Sequence, residues 1–194
     1  MNYFYNLKKK IQNNKAVICI VGLGYVGSAI IDKFNKKGFK TIGIDKDPKK
    51  LKYQFKTNKM KLTKDYSYVK NADVIIIALP TPLKKNMNPD LSYIKESLQK
   101  IKRFLKKGQL ISLESTTYPG TTEEIILPVL RKNKFELSKD FFLVYSPERI
   151  SPELKVKDKT IKYKLHNKPK ICAGYSKECK YLALILYNKI TKTT

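Results

Sequence analysis

The stretch VICIVGLGYVGSAI, residues 17–30, decides the fold. It opens inside a continuous apolar run, residues 16–21 (AVICIV), the pattern of a strand buried on both faces. It closes in a segment, residues 25–36, that sets Val26, Ile30, Ile31 and Phe34 on one face of a helix. Between the two, Gly22, Gly24 and Gly27 spell G-x-G-x-x-G. The first glycine permits the tight turn, the second lets a pyrophosphate approach bare backbone, and the third lets helix and strand pack closely. The phosphates would then meet N–H groups at the positive end of the helix. Glycines alone specify only a turn, and here the strand, the helix and an acid supply the context. Asp45 lies 18 residues beyond Gly27, at the end of the next apolar run. A carboxylate there accepts hydrogen bonds from an adenosine ribose and repels a 2′-phosphate, which favours NAD over NADP. Lys46 and Lys50 work against that discrimination, because either can pair with a phosphate.

Outward from this unit, apolar β-rich runs alternate with lysine-studded helical stretches. Gly38 stops the first helix, residues 40–44 (KTIGI) form a second strand, and a helical stretch from Pro48 to about residue 55 follows. Residues 59–63 (KMKLT) alternate as an outer strand, and 73–79 (DVIIIAL) read as a central one. A proline-rich loop leads to a helix over 90–106, with Asp90 as N-cap and Gly108 as stop. Then come strand 109–113, helix 120–132 with Thr121 as cap, strand 141–145, a short strand at 169–174, and a last helix capped by Ser176. That helix has its seam at Cys179, Leu182, Ala183, Leu186 and Ile190. The alternation predicts an α/β, Rossmann-type doubly wound parallel sheet with helices on both faces. Residues 1–15 read as a basic helical lead-in, 16–194 as the sheet domain, and 151–194 as its less regular extension.

Several strand ends carry polar groups to the carboxyl edge of such a sheet, where ligands bind. Thr81 in LPTPL follows the central strand and serves either a ligand or the turn between two prolines. Ser115, Thr116 and Thr117 in ESTTYPGTTEE follow the next, and helix capping does not account for that cluster. Glu148 and Arg149 in YSPERI follow another, as part of a site or as a surface ion pair. His166 sits in a lysine-rich irregular segment and reads as solvated.

The charge balance is +25, almost all of it from lysine. Lysine is spread along the whole chain, and arginine, the residue of bidentate base contacts, stands only at Arg103, Arg131 and Arg149. Specific nucleic-acid binding is therefore disfavoured. Cys19, Cys172 and Cys179 form no CxxC pair and suit a reducing cytoplasm; Cys19 and Cys172 read as small core residues, and no metal site is expected. No apolar run is long enough to span a membrane.

The segments VGLGYVGSAI, GIDKD, ADVIIIALPTPL, PDLSYI, LESTTYPGTTEE, YSPERI and PKICAG resemble the UDP-glucose/GDP-mannose dehydrogenase family. The likeness is to its branch acting on UDP-N-acetylglucosamine or UDP-N-acetylmannosamine. ESTTYPGTTEE followed by SPERI is far more specific than the glycines. The resemblance implies NAD as cofactor and oxidation of a sugar C6 alcohol to a carboxylate in two steps. By motif it implies Tyr25 and Val26 against the pyrophosphate, Asp45 with Lys50 on the adenosine ribose, and Thr81 and Thr116 near the nicotinamide. It sets Glu148 at the reacting centre, and Arg149 and Ile150 on the UDP-sugar substrate.

Two departures stand out. Family members are about twice as long, so the central helix and the domain carrying the catalytic cysteine and lysine are expected to be missing here. The chain alone is then incomplete for turnover, and a separate chain carrying that domain, or a homo-oligomer, becomes a partner. The segment ahead of ADVIIIALP is also short, because LKYQFKTNKMKLTKDYSYVKN replaces an extra loop and helix. A non-catalytic or vestigial nucleotide-binding module, or a dehydrogenase of another Rossmann family, remain alternatives.

Overall fold

A computed structural model describes residues 2–52, 57–131, 135–148 and 169–191. Seven strands make one sheet: β1 (Val17–Val21), β2 (Lys40–Ile44), β3 (Met60–Thr63), β4 (Val74–Ile77), β5 (Gln109–Leu113), β6 (Phe141–Tyr145) and β7 (Ala173–Gly174). Their spatial order is β3-β2-β1-β4-β5-β6-β7. The first six are parallel and β7 runs antiparallel to β6. Strand order reverses between β1 and β4, so the crevice above their carboxyl ends is the switch point of a doubly wound sheet.

Period-two alternation sorts the side chains of the central strands into two cores. On one face Ile18, Ile20, Val74, Ile76, Leu110 and Phe142 are buried with residues of α1 (Tyr3–Gln12), α2 (Tyr25–Lys36) and α5 (Lys177–Tyr187). On the other, Cys19, Val21, Ile75, Ile77, Ile111 and Leu143 are buried with residues of α3 (Ser92–Ile101) and α4 (Leu127–Arg131). Burying each large aliphatic side chain contributes about 1.5–3 kcal/mol. The uninterrupted apolar reading of these strands follows from this, since both faces are covered.

The N-terminal helix does more than lead in. Leu7 and Ile11 enter the first core, and the Phe4 ring meets Phe142 at 6.3 Å and Tyr181 of α5 at 5.9 Å. Lys10 Nζ donates to Asp73 Oδ1 at 2.7 Å, and Val17 N donates to Asp73 Oδ2 at 2.9 Å, which ties α1 to the starts of β1 and β4.

Several expected elements change length or type. Of the helix expected from Pro48, the described part is a 3-10 turn, Pro48–Leu51, capped by Asp47, whose side chain accepts from Lys49 N; its expected end lies outside the described residues. The helix expected over 90–106 is α3 followed by a 3-10 turn, Lys102–Phe104. Asp90 there accepts from Ser92 N at 2.9 Å, and Leu91 takes the N-cap position. The helix expected over 120–132 opens as a π-turn, Thr122–Ile126, before becoming α4. Pro128 supplies the reason: it has no N–H, and its ring collides with an α-helical carbonyl one turn back. Widening that turn removes the collision, and Leu127 N bonds Thr122 O across it. Thr121 takes the N-cap position of that turn but makes no side-chain capping bond: its backbone is already helical and its hydroxyl donates to Tyr118 O at 2.8 Å. The strand expected over 169–174 narrows to β7, while Ser176 caps α5 by accepting from Cys179 N. His166 lies outside the described residues, as do residues 151–168 and 192–194 of the segment expected to be less regular.

Candidate dinucleotide site

The glycine turn is shaped by its neighbours. Gly22 has φ +96°, and a Cβ on it would stand 2.6 Å from Ala78 O of the adjoining strand end. A Cβ on Gly27 would drive into the Gly22 carbonyl, so that position fixes how closely α2 approaches β1. Gly24 differs, because a Cβ there meets nothing within 4 Å. It is the N-cap of α2, and no side chain caps that helix. Open space over bare backbone at the positive end of a twelve-residue helix fits a diphosphate.

Asp45 directly follows β2 and faces this turn. Leu23 N donates to its Oδ2 at 2.7 Å and Asp47 N to its Oδ1 at 2.9 Å, while Lys50 Nζ stands 3.5 Å from Oδ2. The carboxylate therefore bridges the glycine turn and the loop after β2. Each oxygen keeps lone-pair capacity for a ligand hydroxyl.

Above the switch point lies a cleft of about 690 Å³, within the roughly 300–1,000 Å³ range of small-molecule sites. Gly22, Gly24, Tyr25, Val26, Asp45, Lys50, Thr81, Thr116 and Glu148 all line it. Gly27 does not line it and acts from behind through packing. At the far end from Asp45, Thr81 Oγ1 donates to Thr116 O at 2.7 Å, joining the loops after β4 and β5. Ser115 Oγ donates to Leu79 O at 2.6 Å in the same seam. Arg149 and Ile150 lie outside the described residues.

Beneath that end sits a buried polar cluster that the motifs did not reveal. Lys170, 5% exposed, donates to Glu114 Oε2 at 2.6 Å, to Glu148 Oε2 at 2.9 Å and to Ser146 O at 3.2 Å. Tyr187 of α5 is hydrogen-bonded to Glu114 Oε1 and, at 2.8 Å, to Ser112 Oγ. Burial pulls the Lys170 ammonium down, but Glu114 and Glu148 beside it outweigh burial and hold its pKa above the ordinary value. Burial raises Glu114 against the opposing pull of Lys170, and burial with the nearby Glu114 raises Tyr187 well above its ordinary value. Glu148, expected to meet water or substrate, is thus also one leg of an ion-paired bridge. Both Glu114 and Lys170 fall inside segments already singled out, LESTTYPGTTEE and PKICAG. The available signal was an ionisable residue against an apolar strand end in each.

The three cysteines are buried and none lines the cleft. Burial pushes the Cys19 thiol up to about 12 and raises that of Cys172.

An open glycine turn, an acid facing it and a cleft at the switch point define a dinucleotide-binding α/β protein. Residues 51–191 match the family described as UDP-glucose/GDP-mannose dehydrogenase family, NAD binding domain, and the chain belongs to that family. The glycine turn precedes the matched segment and stands on its own geometry. Protein CapL of Staphylococcus aureus is 37% identical over 154 residues, covering 72% of this chain and 36% of that protein. UDP-N-acetyl-D-glucosamine 6-dehydrogenase of Pseudomonas aeruginosa is 33% identical over 191 residues, covering 89% of this chain and 43% of that enzyme. The solved UDP-N-acetyl-mannosamine dehydrogenase Cap5O from Staphylococcus aureus superposes with a TM-score of 0.77 at 27% identity, covering 92% of this chain and 46% of that one. The chain thus spans less than half the length of these relatives.

Proposed function

We propose that this chain is the NAD-holding half of a nucleotide-sugar 6-dehydrogenase acting on a UDP-N-acetylhexosamine. The observation that carries the proposal is the open Gly24 backbone beside Asp45, whose Oδ2 accepts from the turn itself at Leu23 N, 22 residues away in sequence. The pyrophosphate lies over Gly22 and Gly24, flanked by Tyr25 and Val26, and Asp45 with Lys50 holds the adenosine ribose. Thr81 and Thr116 orient the nicotinamide end. Bound there, NAD accepts hydride from the sugar C6 carbon. Glu148 faces that carbon, held in place through Lys170, and Arg149 and Ile150 contact the sugar nucleotide.

Going from alcohol to carboxylate through an enzyme-bound acyl stage requires a nucleophile, and the three thiols of these residues are buried away from the cleft. A thiol nucleophile for that stage therefore comes from outside these 194 residues: from a partner chain or from further sequence. The reducing cytoplasm suits three unpaired thiols. The test is to supply the chain with NAD and UDP-N-acetylglucosamine or UDP-N-acetylmannosamine. NAD binding without NADH formation is expected, and NADH formation on adding the cysteine-bearing half. Sustained NADH from the chain alone refutes the division of labour. Failure to bind NAD refutes the cofactor assignment and leaves a vestigial module.

A further inference from the structure

Two of the helices that close the first core also turn a face outward. In α1, Leu7 and Ile11 enter the core, while Tyr5, Lys8 and Lys9, at spacings of three and four, share another face. Tyr5 is 63% exposed there. In α5, Lys177, Lys180 and Tyr181 share an outer face at the same spacings, and Tyr181 is 38% exposed. The two faces meet. The Phe4 ring lies 5.3 Å from that of Tyr5 and 5.9 Å from that of Tyr181, and Lys8 Nζ stands 4.9 Å from the Tyr181 ring centre. The rings and the lysine form one seam along the boundary of α1 and α5. Neither Tyr5 nor Tyr181 is among the described residues of the two cores.

The charge of the seam is one-sided. Within α1 stand Lys8, Lys9 and Lys10 and no acid. Within α5 stand Lys177, Lys180 and one acid, Glu178, which is engaged by the Ser176 hydroxyl at 2.8 Å. Such a surface calls for an anionic partner, and a second copy of this chain, itself at +25, is repelled. The two helices carry no arginine, the residue whose planar fork grips a fixed carboxylate or phosphate. Lysine is a hydrated point charge, which suits a diffuse anionic layer. Tyrosine has an apolar body and a polar tip, which suits the boundary between headgroups and acyl chains. A bilayer surface bearing anionic lipid offers both environments side by side.

We propose that the seam between α1 and α5 is a docking surface for an anionic lipid bilayer. Tyr5 and Tyr181 enter the headgroup layer, and Lys8, Lys9 and Lys180 face its phosphates. The chain lies on the bilayer and does not cross it, since no described helix is long and apolar enough to span one. The cleft stays open in this arrangement, because no residue of α1 or α5 lines it.

The experiment is co-sedimentation of the full chain with vesicles of phosphatidylcholine alone and of equimolar phosphatidylcholine and phosphatidylglycerol. It is repeated for Lys8→Glu/Lys9→Glu and for Lys84→Glu/Lys85→Glu, an equal charge change in the exposed loop after β4. Binding to the anionic vesicles alone is expected, falling as salt rises. Each lysine at such a surface contributes about fivefold, so Lys8→Glu/Lys9→Glu is expected to bind at least about twentyfold more weakly. Lys84→Glu/Lys85→Glu is expected to bind nearly as the wild type does. Tyr5→Trp supplies a second readout, because the chain has no tryptophan and its emission reports that position alone. The emission is expected to shift to the blue on adding anionic vesicles and to stay in place with phosphatidylcholine. The proposal is overturned if the wild-type chain does not sediment with anionic vesicles, or if the two charge-reversal variants lose binding equally. It is overturned also if the chain sediments while the Tyr5→Trp emission stays in place, since diffuse lysine charge then carries the binding.

Discussion

The two ends of the cleft are built by different physics. The Asp45 end is local: β1, the glycine turn, α2 and β2 follow one another, and Asp45 closes on Leu23 N only 22 residues away. The Glu148 end is assembled from afar. Lys170 meets Glu114 across 56 residues and Tyr187 meets Glu114 across 73. At the first end, backbone geometry does the selecting: a positive φ at Gly22, a forbidden Cβ at Gly27, a free one at Gly24. At the second, charge burial does, because one ammonium is shared between two carboxylates out of water. Local geometry shows itself in residue spacing, whereas long-range charge pairing shows itself only once the chain is folded.

The sharpest way to break that contrast is at Lys170. Removing one partner of a buried ion pair costs about 3–5 kcal/mol, because it strands a charge. Lys170→Met strands Glu114 and Glu148 together and is expected to lower the unfolding free energy by that amount in urea titration. A loss typical of an exposed lysine would show that the cluster is well hydrated and that the second end is not built by burial.

Next comes Gly27→Ala. Inserting a methyl into a closed contact costs about 1–3 kcal/mol. Here the contact is the Gly22 carbonyl, so the turn itself must shift. Both thermal stability and NAD affinity are expected to fall together. Unchanged NAD affinity would separate the turn's packing from its ligand role.

The smallest effect is chemical and concerns the core between the two ends. Cys19 sits in β1 with its thiol pushed up to about 12 by burial. Deprotonated thiolate is the reactive form, so at mildly alkaline pH alkylation of Cys19 in the native chain is expected to be slow. It should become rapid in urea, as mass spectrometry of trapped adducts would record. Fast native labelling at Cys19 would mean that the sheet opens locally under the glycine turn.

The same division explains what the sequence made legible. The fold was readable because the central parallel strands, buried on both faces, write themselves as apolar runs, and because Gly22, Gly24, Gly27 and Asp45 have a fixed spacing. Thr81, Thr116 and Glu148 were readable as strand-end residues, and the structure brings all three to the cleft. Less readable were the ends of elements. Pro128 turned the start of an expected α-helix into a π-turn, and Asp90 caps by an Asx-type bond two residues ahead of where α3 settles. The pairing made by Lys170 was not readable, even though Glu114 and Lys170 each fell inside a segment already singled out. Its partners are nowhere near it in sequence, and a lysine in a chain with net charge +25 does not announce itself.

The central claim is that bare backbone at Gly24 receives the diphosphate of NAD. Calorimetric titration of NAD into the wild-type chain and into Gly24→Val tests it most directly, since a Cβ at Gly24 meets open space in the fold. The expected result is NAD binding by the wild-type chain, and loss of that binding in Gly24→Val with a stability loss no larger than that of a poorer helix N-cap, about 1 kcal/mol. Equal NAD affinity in the two proteins, or no NAD binding by the wild-type chain, would contradict it.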